Sequence, residues 1–270
     1  MKTLRIGIIG AAGFAGAHLK SIAWCQERKL CELAAVVIRE QDKDIEKESE
    51  FAKQGVKVYR TYEKMLEMEK GNIDIVSVPC GIDQHAELSI RALESGYHVI
   101  CEKPVAGTVA EAKKMLETAS KTGKILSIGY QNIFSQSIQR IKEIVIEKKL
   151  GTLRSAWTYG LWPRPNTYYE RNNWAGKLSI NGRMIYDSPT QNALAHYLQN
   201  MLYCSGPSRH ASATPKTVYM ENYHAKNIES ADTQFLRVKT DTGADIVFVA
   251  THACINQEGP FTEYRFDNGI

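Results

Sequence analysis

An apolar strand that runs directly into closely spaced glycines is the feature that most restricts the fold of this chain. The strand covers Leu4–Ile9, and Gly10, Gly13 and Gly16 follow it in a GxxGxxG pattern at the start of a helix over 14–28. Glycine permits a tight turn and lets another group approach the backbone closely. A strand, a glycine turn and a helix in this order predict the first βαβ unit of a doubly wound sheet.

The first half of the chain continues this alternation of strands and helices. Strands are predicted at 33–38, 56–59, 73–78, 97–101 and 125–129, and helices at 46–53, 84–95 and 109–122, with a short helix between the third and fourth strands. Short runs of β-branched residues between helices indicate parallel strands buried on both faces. The predicted fold class is therefore α/β, with a Rossmann domain over residues 1–130.

The pattern of predicted secondary structure changes in the second half of the chain. A connecting helix (135–149), an alternating aromatic strand (152–160), an irregular stretch (161–186), a helix (189–203) and four further strands (217–221, 233–240, 244–251, 262–266) are predicted. This pattern indicates an α+β domain over 131–270 with a mainly antiparallel open sheet. Asp267-Asn268-Gly269 is a hairpin-turn signal without a return strand. We expect either a C-terminally truncated chain or an unusually short second domain.

Composition excludes several classes of protein. Apolar residues make up 43% and charged residues 24%, as in an ordinary globular protein, and a net charge of +4 is too small and too dispersed for a nucleic-acid partner. The six cysteines show no CxxC and no metal-ligand spacing, which predicts reduced, buried thiols in a cytoplasmic protein without a metal. The N-terminus could pass for a secretory signal, but the glycine spacing favours a first βα unit. No run reaches membrane-spanning length, so no membrane partner is expected.

The glycine turn predicts a dinucleotide site, because its helix N-terminus stabilises phosphate. The end of the second strand then selects the cofactor. The position where an acidic residue would bind the ribose of NAD holds Ile38, and Arg39 follows it. Arg39 favours NADP, because its guanidinium could pair with the 2′-phosphate of that cofactor. Glu40 could still reach a ribose hydroxyl of NAD, and Arg39 could also be an arginine of the surface without a role in binding.

A lysine ends another predicted strand of the same sheet. Glu102-Lys103-Pro104 follows the apolar run 97–101. A lysine on a sheet that also holds a dinucleotide suggests a redox enzyme, in which Lys103 handles a substrate proton while hydride moves to or from the nicotinamide. The alternative is a strand-end lysine in solvent.

Several stretches around this lysine resemble one enzyme family. They are IDIVSVP (73–79), HAEL (85–88), ALESG (92–96), HVICEKP (98–104) and GYQ (129–131). They resemble the Gfo/Idh/MocA oxidoreductases, named for glucose–fructose oxidoreductase and inositol dehydrogenase. The resemblance extends through WPRP (162–165), NWAGK (173–177) and DSP (187–189). It implies an enzyme that uses NAD or NADP on a sugar, a polyol or a related hydroxy compound.

The resemblance also implies roles for individual residues. Lys103 would hydrogen-bond the reacting hydroxyl and relay its proton, Glu102 would hold the cofactor or the lysine, and a cis bond before Pro104 would aim Lys103. The predicted cofactor-binding residues are Gly10, Ala12, Gly13, Phe14, Gly16, Arg39, Pro79, His85, Glu102, Lys103 and Gln131.

The second domain departs from the family pattern at one position. Many family members carry Asp-x-x-x-His at the start of a helix, and here Asp187 is followed by Gln191 where the histidine is expected. Gln191 can bind a hydroxyl but cannot carry a proton, and Ser188 with Gln191 also reads as a helix-capping box. His196 is the nearest substitute, but on a continuous helix it lies about half a turn out of phase with Asp187. Asp187, Gln191 and His196 therefore join Lys103 as catalytic candidates, with a structural role left open for the last two.

The irregular stretch is rich in aromatic, amide and basic side chains. Aromatic faces and hydrogen-bonding groups together suit a carbohydrate or polyol, whereas the tryptophans equally fit sheet packing or an oligomer interface. The predicted substrate-binding residues are Lys103, Arg164, Asn173, Lys177 and Asp187.

Two other functions remain open. One is an NAD-dependent glycoside hydrolase, in which the sugar is oxidised transiently and then reduced again. The other is a non-catalytic dinucleotide-binding protein. The family resemblance further implies a homo-oligomer that pairs through its open sheet.

Overall fold

A computed structural model describes residues 3–270, which form two compact units that meet at Gly129 and Tyr130 in the chain. The first unit alternates strands and helices. Its strands are β1 (Leu4–Ile9), β2 (Cys31–Val37), β3 (Lys57–Tyr59), β4 (Ile75–Val78), β5 (His98–Cys101) and β6 (Leu126–Ile128). Its helices are α1 (Ala15–Glu27), α2 (Ile45–Lys53), α3 (Tyr62–Met68), α4 (Ile82–Glu94) and α5 (Val109–Thr122).

The six strands form one parallel sheet in the order β3-β2-β1-β4-β5-β6. This is the Rossmann order, in which the chain reverses direction across the sheet between β1 and β4. Because all strands are parallel, the loops after β1, β2, β4 and β5 emerge at the same edge of the sheet. The predicted α/β class and the doubly wound parallel sheet are confirmed.

The core of this unit lies on both faces of the sheet. Ile8 and Val36 pack with α1 residues on one side, and Val76 and Val99 pack with α4 and α5 residues on the other. Each fully buried aliphatic side chain stabilises the fold by about 1.5–3 kcal/mol relative to an exposed one. The burial of these strands on both faces therefore stabilises a sheet that lies between two layers of helices. Side-chain caps accept backbone N–H groups at the N-termini of several helices. The clearest is a reciprocal capping box between Thr108 and Glu111 at the start of α5.

The second unit is α+β. Its strands are β7 (Leu153–Leu161), β8 (Ser179–Ile180), β9 (Arg183–Met184), β10 (Pro215–Tyr223), β11 (Thr233–Thr240), β12 (Asp245–Thr251) and β13 (Glu258–Phe266). Its helices are α6 (Gln136–Ile146), α7 (Asn166–Glu170) and α8 (Ala195–Cys204). Five strands form a sheet in the order β10-β11-β12-β7-β13, and β8 pairs with β9.

This sheet is mainly antiparallel, as predicted, with β12 and β7 as a parallel pair. One face packs on α6 and α8 through residues such as Met201, Ile246 and Phe248. The other face carries Trp157, Tyr159 and Phe261, whose rings contact one another. The alternation of buried and exposed residues along β11 and β12 explains why two faces of such different character form.

Two details of the second unit differ from the sequence prediction. The irregular stretch 161–186 contains the helix α7 and the small hairpin β8–β9. The helix predicted at 189–203 is interrupted, because a π-helical turn over Pro189–Ala193 precedes α8, with the Leu194 N–H donating to the Pro189 carbonyl. The turn predicted at 267–269 forms, and Phe266 pairs with Gly269.

Within residues 3–270, no helix has both the length and the apolar character to cross a bilayer, and no three His, Cys, Asp or Glu side chains gather as a metal site. All six cysteines are free thiols. Cys31, Cys101 and Cys204 are buried, whereas the other three are only half-buried, so the prediction of buried thiols was wrong for half of them.

Candidate active site

The glycine turn shapes a cavity at the carboxyl edge of the parallel sheet. Gly10 and Gly13 have positive φ angles (103° and 60°), a conformation that glycine adopts without strain. They lead the chain into α1, and the Gly10 N–H donates to the Val37 carbonyl at 2.9 Å. The cavity is about 430 Å³, a size typical of ligand pockets, and Gly10, Ala12, Arg39 and Pro79 are among the residues that line it.

Charged side chains surround the end of β2 in this cavity. Ile38 is buried, and the exposed Arg39 pairs with Asp42, with its Nε 2.6 Å from the carboxylate. Lys47 of α2 donates to the carbonyl of Ala11, and Arg60 holds Glu48 through two hydrogen bonds of 2.7 and 2.8 Å. This bidentate contact raises the pKa of Arg60 and lowers that of Glu48.

The Glu102-Lys103-Pro104 segment leaves β5 at the same edge. Glu102 is buried, and its Oε2 accepts the Lys103 N–H at 3.1 Å. The bond between Lys103 and Pro104 is cis, as expected. His85 lies behind this segment, with Nδ1 2.7 Å from the Pro104 carbonyl and Nε2 3.1 Å from the Cys80 carbonyl. Burial lowers the pKa of His85, against the opposing effect of these two hydrogen bonds.

Asp187 is the most firmly held of the predicted site residues in the second unit. Its side chain is buried, one oxygen accepts the Gly176 N–H at 2.8 Å, and the other accepts the Asn192 amide at 2.7 Å. Two donors keep the carboxylate oriented. Gly176 has a φ of 72°, and a Cβ there would lie 2.8 Å from the Tyr169 ring. Glycine is therefore required where this N–H approaches Asp187.

The helix that follows Asp187 begins with a cap. The Ser188 hydroxyl accepts the Gln191 N–H at 3.3 Å, and Pro189 is the first residue of the π-helical turn. His196 lies beyond this turn in α8 and contacts the Tyr130 ring edge-on, with centroids 5.8 Å apart. The phase argument about His196 and Asp187 assumed a continuous helix, and the π-helical turn over Pro189–Ala193 interrupts that helix.

The remaining predicted substrate residues occupy different surroundings. The Arg164 guanidinium makes cation–π contacts with the rings of Trp162 and Tyr168, at 4.8 and 4.4 Å from their centroids. Asn173 and Lys177 are exposed, and Lys177 lines an open groove of about 580 Å³ with residues of α7 and of the loop 226–229. These side chains are placed within the second unit alone.

Comparison with known proteins identifies the first unit. Residues 4–130 match the family model described as "Oxidoreductase family, NAD-binding Rossmann fold", that is, the GFO_IDH_MocA family. The N-terminal unit of the chain therefore matches the Gfo/Idh/MocA family over residues 4–130. The unit thus has the Rossmann fold of that family, and the predicted resemblance is confirmed for residues 4–130.

Relatives with assigned names match parts of the chain. D-glucoside 3-dehydrogenase of Escherichia coli K12 is 40% identical over 80 residues, which are 30% of this chain and 23% of that protein. Glucose-6-phosphate 3-dehydrogenase of Bacillus subtilis 168 is 30% identical over 152 residues, which are 56% of this chain and 40% of that protein. The matched part of the chain spans less than half the length of either relative.

A solved structure shares the fold of most of the chain. The WlbA dehydrogenase from Chromobactrium violaceum, in complex with NADH and UDP-GlcNAcA, matches with a TM-score of 0.79 at 24% identity, over 94% of this chain and 69% of that one. At this identity the match establishes the fold alone, and it includes the second unit.

Two histidines that the sequence reasoning did not select lie beside predicted site residues. His18 in α1 contacts Glu102, with Nε2 3.0 Å from Oε1. A histidine one turn into the helix after a glycine loop was the available signal. His252 lies just beyond β12, and it lines a small cavity of about 10 Å³ together with Asp187, Tyr168 and Tyr169. No local pattern links His252 to Asp187, because the two residues are 65 positions apart and only the tertiary fold brings them to one cavity.

The ring of His252 is held in one orientation. Its Nδ1 lies 2.8 Å from the Trp162 carbonyl, which can only accept, so Nδ1 carries the proton and Nε2 is left with a lone pair. Burial lowers the pKa of His252, which keeps the ring neutral near pH 7. Burial also raises the pKa of the neighbouring Tyr169 to about 12. The cavity thus places a neutral imidazole and a phenol beside a carboxylate.

Proposed function

We propose that this protein is an NAD(P)-dependent oxidoreductase that transfers hydride between the nicotinamide and a sugar, polyol or related hydroxy compound. One observation carries the proposal: the glycine turn after β1 and the Glu102-Lys103-Pro104 segment after β5 lie at the same edge of one Rossmann sheet. Dinucleotides bind at this edge, where the strand order reverses. The names of the family relatives, which are sugar dehydrogenases, support the substrate class.

The residues of the first cavity fit a dinucleotide. Gly10 and Gly13 let a pyrophosphate approach the N-terminus of α1, and Ile9, Val37 and Leu88 supply apolar walls for an adenine ring. The cationic side chains of Arg39, Lys47 and Arg60 favour NADP, because a 2′-phosphate needs positive charge around the ribose. Asp42 and Asp44 line the same cavity and oppose this preference. NADP is therefore the proposed cofactor, with NAD as the alternative.

Lys103 is the proposed proton relay. The nicotinamide, when bound, supplies or accepts the hydride. The Lys103 amine would take the proton of the substrate hydroxyl during oxidation and return it during reduction. Glu102 would orient the lysine, because its carboxylate is bonded to the Lys103 backbone N–H. His85 would brace the segment through its bond to the Pro104 carbonyl.

In the second unit we assign substrate hydroxyls to Asp187 and His252. Asp187 is oriented by the Gly176 N–H, and the Nε2 of His252 is an acceptor. His252 would thereby replace the histidine that the family pattern places at position 191. Gln191 and His196 are kept as weaker catalytic candidates, and Arg164, Asn173 and Lys177 as further substrate contacts.

The outer face of the five-stranded sheet is proposed to bind a second copy of the chain. Trp157 stacks on Tyr159 and contacts Phe261, and Phe261 and Val249 remain 49% and 37% exposed. A patch of aromatic residues is typical of the centre of an interface. Analytical ultracentrifugation of the wild type and of Phe261→Glu tests this, because the variant should shift an oligomer to monomer. A cytoplasmic location is proposed from the six free thiols.

The activity is tested by incubating the protein with NAD or NADP and a panel of sugars and polyols while following the absorbance of the reduced nicotinamide. A substrate-dependent increase that Lys103→Met abolishes is expected. If the wild type binds the nucleotide yet reduces none with any member of a broad panel, the dehydrogenase proposal is contradicted, and release of a glycosidic substituent would then indicate the hydrolase.

A further inference from the structure

We propose that His18 is a positioning residue for Lys103: it fixes the carboxylate of Glu102 and joins the helix after the glycine turn to the proposed proton relay. The proposal rests on the proposed function for the role of Lys103. Its geometry lies wholly within the first unit and involves the three elements α1, β4 and the end of β5.

Four residues form a continuous chain of hydrogen bonds. The Nδ1 of His18 lies 2.8 Å from the Ser77 hydroxyl, and its Nε2 lies 3.0 Å from Oε1 of Glu102. The other carboxylate oxygen of Glu102 accepts the Lys103 N–H at 3.1 Å. The carboxylate is therefore held from both sides, by a histidine on one oxygen and by the lysine's own backbone on the other.

The protons in this chain can be assigned. An ionised Glu102 only accepts, so Nε2 of His18 must carry a proton. In the neutral ring with this tautomer, Nδ1 accepts from the Ser77 hydroxyl, so both neighbours are satisfied. A neutral ring that donates to Glu102 leaves the negative charge on the carboxylate next to Lys103. In this arrangement the neutral His18 ring orients the Glu102 carboxylate without neutralising its charge.

Burial makes these partners necessary. The side chains of His18 and Glu102 are only 14% and 9% exposed, and Ser77 is 2% exposed. A buried carboxylate without donors is strongly destabilised. Gly129 closes the site on the far side, where a Cβ would lie 2.6 Å from Oε1 of Glu102. This contact explains why glycine stands at the start of the GYQ stretch.

A hydrolytic role for this serine, histidine and glutamate is excluded by position. Ser77 lies inside β4, paired with Ile8 of β1 on one side and with Ile100 of β5 on the other. Its hydroxyl is buried on the face of the sheet that carries α1, where no substrate carbonyl can approach it. The serine can orient the His18 ring but cannot attack a substrate.

The position of His18 on α1 gives the contact a second consequence. The helix begins at Ala15, directly after the glycine turn, and the Phe14 ring meets the His18 ring edge-on at 5.8 Å. A dinucleotide held at the N-terminus of α1 would therefore contact the same rigid helix that holds Glu102. Cofactor binding and the placement of Lys103 are thus mechanically linked.

The test compares three substitutions at position 18. His18→Leu removes both hydrogen bonds, His18→Gln can still donate to Glu102 and accept from Ser77, and His18→Asn is too short to reach both partners. The control is His98→Leu, which removes a half-buried histidine of β5 whose bond goes to the Ile125 N–H. The readout is the rate at which an amine-reactive reagent labels Lys103 in the nucleotide-free protein, measured by peptide mass spectrometry across a pH series.

We expect His18→Leu and His18→Asn to move the midpoint of the Lys103 labelling profile to higher pH by about one unit, because a released carboxylate turns toward the ammonium group and favours its charged form. His18→Gln should restore the wild-type midpoint, and His98→Leu should leave it unchanged. If His18→Leu does not fold, the proposal is tested by comparing the labelling midpoints of His18→Gln and His18→Asn. Equal midpoints in all folded variants would overturn the proposal.

The experiment separates this proposal from the proposed activity, since labelling needs neither cofactor nor substrate. A protein that reduces no nucleotide but shows the shifted midpoint retains His18 as the residue that positions Lys103. A dehydrogenase whose kcat and labelling profile both survive His18→Leu contradicts the positioning role alone.

Discussion

The Nδ1 atom of His252 lies 2.8 Å from the carbonyl oxygen of Trp162, in a cavity wall that Asp187 shares. This contact leaves Nε2 as the acceptor of the ring. We expect His252→Asn to lower kcat/KM by about 100-fold, as for a lost acid–base group, with nucleotide affinity unchanged. The exposed His210→Asn is the control, and an unchanged kcat/KM for His252→Asn would rule out the role.

The same histidine predicts a pH dependence. Burial lowers the pKa of His252 below its usual 6.5, so the neutral ring persists to a lower pH than in a free histidine. If the neutral form is needed, kcat/KM falls as the pH drops through that lowered pKa, and the acid limb should disappear in His252→Asn. An acid limb that is identical in the wild type and the variant assigns it to another group.

Removing the lysine amine separates binding from chemistry. Lys103→Met should lower kcat by about 100-fold or more, because a proton relay contributes at least this factor, and should change the Kd for the nucleotide by less than about threefold. Lys113→Met, at an exposed position on α5, is the matched control. A Lys103→Met enzyme with wild-type kcat would remove the lysine from the mechanism.

Cofactor choice depends on the charges at the end of β2. Arg39→Leu should weaken NADPH binding by about tenfold, the worth of one charge-assisted contact, and should weaken NADH binding much less. Arg28→Leu, which removes an exposed arginine stacked on Trp24, should alter neither affinity. Equal losses for both nucleotides would show that Arg39 contacts adenine or ribose and does not select for the phosphate.

Lys142 is the buried cation of the second unit. It is 1% exposed, and its ammonium donates to the carbonyls of Tyr203, Gly206 and Ala211 at 2.5, 2.9 and 2.9 Å. Replacing it by methionine leaves three carbonyls without a donor. We expect Lys142→Met to lower the free energy of unfolding by about 2 kcal/mol at pH 7, and the exposed Lys239→Met to have little effect in denaturant titrations.

The contribution of Lys142 also depends on pH. Burial lowers its pKa from 10.5 to about 8. Below pH 8 both the folded and the unfolded chain carry the proton, and the folded state bears the cost of the buried charge. Between pH 8 and 10.5 the folded state has lost this proton, so its stability relative to Lys142→Met should rise by up to about 1.4 kcal/mol per pH unit. A constant difference between wild type and variant would contradict the lowered pKa.

The elements that sequence reasoning located well are those with a strong local signal. Short apolar runs such as Leu4–Ile9 and the capped helix Val109–Thr122 appear in the structure with the predicted bounds. The break before α8 was missed because a π-helical turn has no distinct composition, and Pro189 also fits an ordinary first turn. The error changed the interpretation of His196, whose orientation was deduced from an uninterrupted helix.

The site residues that could be predicted are those that directly follow the end of a strand. Lys103 and Gly10 were found because each directly follows a recognisable strand. His18 and His252 were not, because their partners come from other elements: Glu102 follows β5 whereas His18 lies on α1, and His252 follows β12 whereas Asp187 precedes the π-helical turn. Such contacts depend on how distant elements are arranged in the tertiary structure, and they leave no local pattern in a single sequence.

The most direct test of the account is a titration of the purified protein with NADH and NADPH, following nicotinamide fluorescence after any carried-over nucleotide has been released by denaturation and the protein refolded. We expect saturable binding of both reduced nucleotides, tighter for NADPH, with the preference lost in Arg39→Leu. A folded protein that binds neither nucleotide would contradict the dehydrogenase proposal for this chain.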